Sequence, residues 1–140
     1  MHDLLIRNAS IIDGSGAPAW RGDVALRDGR IAALGQPGTL ASPALHSIDA
    51  DGLALCPGFI DVHTHDDLEV IRAPGMLSKL SQGVTTVIVG NCGISASPVA
   101  LRGAPPDPMN LLGDGQDFRY ARFADYRQAV EAAAPALNVA

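Results

Sequence analysis

The first chemistry in this sequence lies in Phe59-Ile60-Asp61-Val62-His63-Thr64-His65. In an extended chain, residues two apart share a face. His63 and His65 are therefore expected side by side, with Asp61 and Phe59 below them and Ile60, Val62 and Thr64 on the opposite face. Two imidazoles at the C-terminal end of a strand can chelate a divalent ion through nitrogen, as zinc sites require. A bare His-x-His is a weak motif, but two ionisable rings followed by Asp66-Asp67 would make a poor core. Cys92, in Gly90-Asn91-Cys92-Gly93, is the second element. Glycines on either side let the backbone turn sharply and approach a ligand closely. Thiolate is a good zinc ligand, and a metal lowers the thiol's pKa. A free cysteine alone is more often buried and inert; beside the histidine pair, the ligand reading leads. The expected metal ligands are His63, His65 and Cys92.

The elements that must position these groups come from local patterns. Residues 59–65 read as a short strand, 74–82 as a helix opened by Pro74 and closed by Gly83, and 84–89 as a β-branched buried strand. Strand, helix and strand make a βαβ unit, so a parallel sheet or barrel begins here. Its right-handed crossover lays the two strands parallel and brings both C-terminal ends to one rim. His63, His65 and Cys92 should then cluster within several Å even without metal. Residues 93–116 are rich in Gly, Pro, Ser and Asn and read as a long loop. Residues 117–137 read as a helix, with Phe123, Tyr126, Ala129, Val130, Ala133 and Ala134 at 3-4 spacing and Pro135 at its end. Asn138-Val139-Ala140 resembles the start of another strand.

Ahead of this unit, short strands alternate with turns. Leu4-Leu5-Ile6 and Ser10-Ile11-Ile12 are apolar runs, and Asp28-Gly29 between alternating segments predicts a type I′ hairpin. A further strand pair is expected around Ser47-Ile48-Asp49 and Leu53-Ala54-Leu55, turned by Asp51-Gly52. The first third thus reads as a small antiparallel β unit. The domain expectation is residues 1–56 for this part and 57–140 for the beginning of the parallel one.

Composition narrows the function classes. A net charge of −5 argues against non-specific nucleic-acid binding, which needs a basic face. Aromatics are only 4%, so the core must come from Ala, Val, Leu and Ile. No run reaches the length of a membrane span, and no signal-peptide pattern opens the chain. Two cysteines are too few for a disulfide framework, so a cytoplasmic setting with free thiols is expected. Cys56, before Pro57, reads as packing, and His2 and His46 as solvated. Asp13-Gly14-Ser15-Gly16 lacks a dinucleotide fingerprint, and Ser15 and Ser95 lack a nucleophile elbow.

The segment from Pro57 to His65 resembles the first-strand metal motif of the amidohydrolase superfamily. More narrowly, Asp66-Asp67, Leu80-Ser81-Gln82-Gly83-Val84-Thr85-Thr86, Gly90-Asn91-Cys92-Gly93 and Phe123-Ala124-Asp125-Tyr126 resemble the N-acyl-D-amino-acid deacylases. The resemblance covers essentially the whole chain. It implies α/β architecture: an antiparallel β-sandwich part, then the first βαβ part of an incomplete TIM-type (β/α)8 barrel. Zn2+ is the implied cofactor, with His63, His65 and Cys92 as ligands and the cysteine in the place of a carbamylated lysine. Hydrolysis of a small N-acyl-D-amino acid to a carboxylate and a D-amino acid is the implied reaction, with no nucleic-acid or membrane partner. The family's remaining metal histidines, its aspartate acid/base and its substrate arginine are expected beyond Ala140. The chain is accordingly expected to be an N-terminal portion, inactive alone, and open sheet edges would favour self-association. Two alternatives are a cyclic-amide hydrolase of the dihydroorotase or hydantoinase kind, and a non-catalytic zinc-binding or interaction module. Gly90-Asn91-Cys92-Gly93 counts against the cyclic-amide hydrolase.

Overall fold

Ten residues of alternating burial, His2–Ile11, form the longest strand of the molecule, β1. The computed structural model describes residues 1–140, which divide into two compact units, Met1–Pro57 and Gly58–Ala140. In the first unit β1 is joined by β2 (Trp20–Arg27), β3 (Arg30–Gly35), β4 (Ala44–Asp49) and β5 (Ala54–Leu55). The sheet order is β3-β2-β1-β4, with β5 also on β1. Asp28-Gly29 makes the hairpin between β2 and β3: Arg27 faces Arg30, and φ is 52° and 68° at the two turn residues. Two successive positive φ values define the type I′ turn that Asp-Gly favours.

Two expectations for this unit fail. The runs at 4–6 and 10–12 are not separate strands: 4–6 and 10–11 belong to one, which carries a register shift between Ile6 and Ala9 and a left-handed Asn8 at φ 56°. Nor is the sheet purely antiparallel. β4 and β5 do not pair with each other; each lies parallel to β1, along residues 2–7 and 10–11 respectively. A ten-residue strand has room for both in series, so Asp51-Gly52 steps the chain along β1 instead of reversing it. Ala9, Ile11, Val24 and Ala50 form the buried cluster here. His46 is exposed as expected, whereas His2 is half-buried with its Nδ1 unpartnered.

The second unit holds β6 (Phe59–Asp61), α1 (Glu69–Arg72), α2 (Leu77–Leu80), β7 (Val84–Val87), β8 (Val99–Ala100), β9 (Arg119–Tyr120), α3 (Phe123–Ala133) and β10 (Asn138–Val139). Its main sheet runs β10-β7-β6, parallel throughout. Gly58 allows the close start of β6, since a Cβ there would sit 2.2 Å from the Thr85 side chain. Val70, Met76, Val87 and Leu137 pack beside this sheet, and a second cluster gathers Leu68, Ile94, Ala96, Leu112, Phe118, Tyr120 and Tyr126.

The helices differ from the sequence pattern. Expected helix 74–82 is only the single turn α2, entered through left-handed Met76 at φ 44°, and an unforeseen α1 precedes it. Pro74 keeps Ala73, at φ −128° and ψ 63°, out of the helical region and so ends α1, while left-handed Met76 parts Pro74 from α2. The expected helix 117–137 shrinks to α3, because residues 119–120 pair with β8 as a short ladder. Ala134 at φ 49° ends it, as Pro135 bars the right-handed helical region to the residue before it. The strands are also shorter than read: β6 ends at Asp61 and β7 at Val87. The stretch expected as loop contains β8 and two 3-10 turns, Met109–Leu111 and Gly115–Asp117. No helix is long and apolar enough to cross a membrane. The fold is mixed α/β.

Candidate metal centre

The parallel pairing of β6 and β7 sends both strand ends to the same side of the sheet, and each end runs into a segment with potential ligands. After Asp61 the chain leaves the ladder, so His63 and His65 sit in irregular backbone, not on a strand face. Strand alternation therefore is not what aligns them. Their rings lie edge to face with centroids 5.7 Å apart. After β7, the 3-10 turn Asn91–Gly93 carries Cys92 in a left-handed conformation at φ 58°, between Gly90 at 76° and Gly93 at 71°. Three positive φ values in four residues fold this turn back sharply, and the Cys92 sulfur reaches 3.0 Å from Nε2 of His63. Each of His63, His65 and Cys92 offers one ligand atom, and the three atoms lie within 4.8 Å of one another. His63 and Cys92 are exposed; His65 is half-buried.

A web of side-chain contacts stabilises the histidine segment. Lys79, on α2, places Nζ 2.7 Å from Asp61 Oδ2, 3.0 Å from Asp66 Oδ2 and 3.2 Å from the Thr64 hydroxyl. Thr64 Oγ1 donates to Asp66 at 2.6 Å, and Asp61 Oδ1 accepts the His63 N–H at 3.3 Å. One ammonium thereby ties the residues before and after His63-Thr64-His65. The hydrogen bond from Lys79 holds the Asp61 carboxyl below its usual range, and that same bond, with a further one to Asp66, raises Lys79. The cysteine turn is tied separately. Asn91 Nδ2 donates to the carbonyls of Ile88 at 2.7 Å and Thr64 at 3.3 Å. Asp67 accepts the backbone N–H of Gly90 at 3.2 Å and of Ala96 at 3.1 Å. Asp66, Asp67 and Asn91 stood out in the sequence only as neighbours of the motif. Lys79 gave no signal there, because α2 brings it in from eighteen residues away.

The donor chemistry and one orphaned atom bear on whether these residues fit a metal. Two imidazoles and a thiol are the nitrogen and sulfur set that zinc accepts. Nδ1 of His65 is buried without a hydrogen-bond partner. Buried polar atoms rarely stay unpaired, and a cation held at Nδ1 would account for it. Cys56, expected to pack, is instead exposed; it lies outside this cluster and is unbridged.

Known proteins share sequence and fold with this chain. A family model described as amidohydrolase family matches residues 46–140. The N-acyl-D-aspartate deacylase of Alcaligenes xylosoxydans xylosoxydans is 50% identical over 137 residues, 98% of this chain and 27% of its own length. A D-aminoacylase crystal structure superposes with a TM-score of 0.93 at 48% identity, covering 100% of this chain and 29% of that one. The N-acyl-D-glutamate deacylase of Bordetella bronchiseptica, complexed with zinc and a phosphonate mimic of its tetrahedral intermediate, gives 0.88 at 48% identity, with 99% of this chain and 28% of that one covered. The chain thus spans little more than a quarter of the length of these relatives. With 95 of its 140 residues (46 through 140) inside the family match, this chain belongs to the amidohydrolase family.

Proposed function

We propose that this chain supplies the metal-holding rim of a zinc-dependent deacylase of N-acyl-D-amino acids, with His63, His65 and Cys92 as ligands. One observation carries the reading: two nitrogens and a sulfur lie within 4.8 Å of one another, on segments that follow neighbouring parallel strands. Catalytic groups of barrel enzymes gather at such C-terminal strand ends. On this reading β6, β7 and β10 are the opening strands of a (β/α) barrel spanning residues 57–140, and residues 1–56 are the small β-sandwich part. The likeness to deacylases of D-configured substrates supports the substrate class. Two free cysteines support a cytoplasmic setting.

Zinc, when bound, supplies Lewis acidity toward an amide carbonyl. The chain's own residues hold and orient the donors. His63 and His65 present nitrogen from a segment that Lys79 pins through Asp61, Asp66 and Thr64. Cys92 presents sulfur from a turn that Asn91 and Asp67 pin. Lys79 is fully engaged by three oxygen partners, so it serves this scaffold and not proton transfer.

Two measurements test the reading: zinc per chain after dialysis, and hydrolysis of N-acyl-D- against N-acyl-L-amino acids by protein carrying this chain. One tightly held zinc and a preference for the D series are expected. Turnover of cyclic amides with none of linear N-acyl-D-amino acids would replace it with the hydantoinase-type alternative.

A further inference from the structure

We infer that Asp67 is the positioning residue of this metal centre: its carboxylate locks the Cys92 turn against the segment that carries His63 and His65. The inference deepens the metal reading proposed above and rests on it. Asp67 is 1% exposed, so neither carboxylate oxygen has water as a ready partner. Instead Oδ2 accepts the N–H of Gly90, two residues before Cys92, and Oδ1 accepts the N–H of Ala96, four residues after it. The two bonds bracket the turn. Asp67 itself stands two residues beyond His65, so one side chain spans from one ligand segment to the other.

Its neighbours show why such a clamp is needed. A non-glycine residue in the left-handed region is disfavoured by its own Cβ, and Cys92 sits there at φ 58°. Backbone of that kind persists where the surroundings over-determine it. The other tie between the two segments, Asn91 to the Thr64 carbonyl at 3.3 Å, comes from within the turn, whereas Asp67 holds it from outside. Asp67 is in turn immobilised from behind. Its carbonyl accepts the Tyr126 hydroxyl at 2.8 Å, and Tyr126, 5% exposed on α3, packs edge to face on Tyr120. No basic side chain pairs with Asp67; the ion pairs of this unit are made by Asp61, Asp66, Asp117, Asp125 and Glu131. A buried carboxylate spent wholly on two amides either side of a ligand turn fits a positional role.

Backbone hydrogen exchange on the metal-free full chain, then cobalt(II) binding, tests the inference in wild type, Asp67→Asn and Asp67→Ala. In wild type the Gly90 and Ala96 amides should exchange slowly; rapid exchange of both would overturn the inference before any variant is made. Asp67→Asn retains shape and one acceptor, so it should free at least one of the two amides, and Asp67→Ala both, with the Val87 amide unchanged. With cobalt, wild type should show a thiolate-to-metal charge-transfer band. Asp67→Asn should weaken that band and lower affinity by about 10–100-fold, the usual effect of removing an outer partner of a ligand. Leu137→Ala, a core change that leaves both Asp67 hydrogen bonds their partners, should retain the band, which separates positioning from general loosening. A wild-type chain that binds cobalt without the thiolate band would overturn the ligand set. A wild-type band that Asp67→Asn reproduces in intensity and affinity would overturn the role of Asp67 and leave the ligand set standing.

Discussion

Asp23 and Asp67 use the same physical device in different units. Both are essentially inaccessible, at 2% and 1% exposure, and both accept two backbone N–H bonds. Asp23 takes those of Asn8 at 2.9 Å and Gly38 at 2.8 Å, and Asp67 those of Gly90 and Ala96. In each case left-handed backbone is being held: Asn8 at φ 56° and Gly38 at 77° by Asp23, Gly90 at 76° with Cys92 at 58° close by for Asp67. The difference is what the held stretch carries. Around Asp23 it carries Asn8, whose side chain donates to Asp49 at 3.0 Å and so serves the sheet again. Around Asp67 it carries a cysteine 3.0 Å from a histidine nitrogen. The clamp fixes position, and the residue on the clamped turn decides whether that position does chemistry.

Breaking the purely structural clamp should have the largest effect on stability. Asp23→Ala removes two hydrogen bonds to a charged acceptor, from the half-buried Asn8 N–H and the exposed Gly38 N–H; at about 1.5–3 kcal/mol each, less where water can replace the acceptor, a loss of about 2–5 kcal/mol is expected in urea unfolding. Zinc content of the folded fraction should not change; a fall would mean that the two clamps are not independent. The next largest effect falls on the metal. Cys92→Ala should weaken zinc binding on the order of 100-fold, at or above what loss of an outer partner costs, while Cys56→Ala leaves it untouched. Equal losses from the two variants would erase the contrast drawn between these cysteines.

Lys79→Met probes the histidine side. Its pairs are only 19–28% exposed, between surface bridges worth about 0–1 kcal/mol and buried ones costing about 3–5 when broken. A loss of about 2 kcal/mol is expected, partly recovered by adding Asp66→Asn to relieve carboxylate repulsion. Failure of that second change to restore anything would argue against the ion-pair web. The smallest effect concerns Arg72, which donates to the Leu112 carbonyl at 3.1 Å and pairs with Asp117. The Arg72 guanidinium holds the Asp117 carboxyl below its usual range. A depressed folded pKa means that the contribution is full above the unfolded value of about 3.9 and is lost as pH falls through the folded one. Arg72 is 43% exposed, so under about 1 kcal/mol is at stake. Stability measured between about pH 5 and pH 2 should fall more steeply in wild type than in Arg72→Gln, and parallel curves would rule the pair out as a contributor.

Much of this was written locally. Asp28-Gly29 specified its hairpin because two positive φ values are a property of those two residues alone. The β-branched run at 84–89 specified a strand, of which 84–87 forms, and the types and spacing of His63, His65 and Cys92 mark them as donors. What the sequence could not disclose was partnership. Whether β4 and β5 pair with each other or with β1 depends on the free length of a distant strand. Whether Pro74 opens a helix or divides two turns depends on how Val70 and Met76 pack beside Val87. The 4.8 Å clustering of the three donors likewise does not come from strand alternation, since both histidines lie past the end of β6. It depends on Lys79 and Asp67 spanning loops 15 to 29 residues apart in sequence. Local sequence sets backbone preference and donor type, because those arise within a few bonds; the distance between donors is set by buried hydrogen bonds that exist only once the chain has closed on itself.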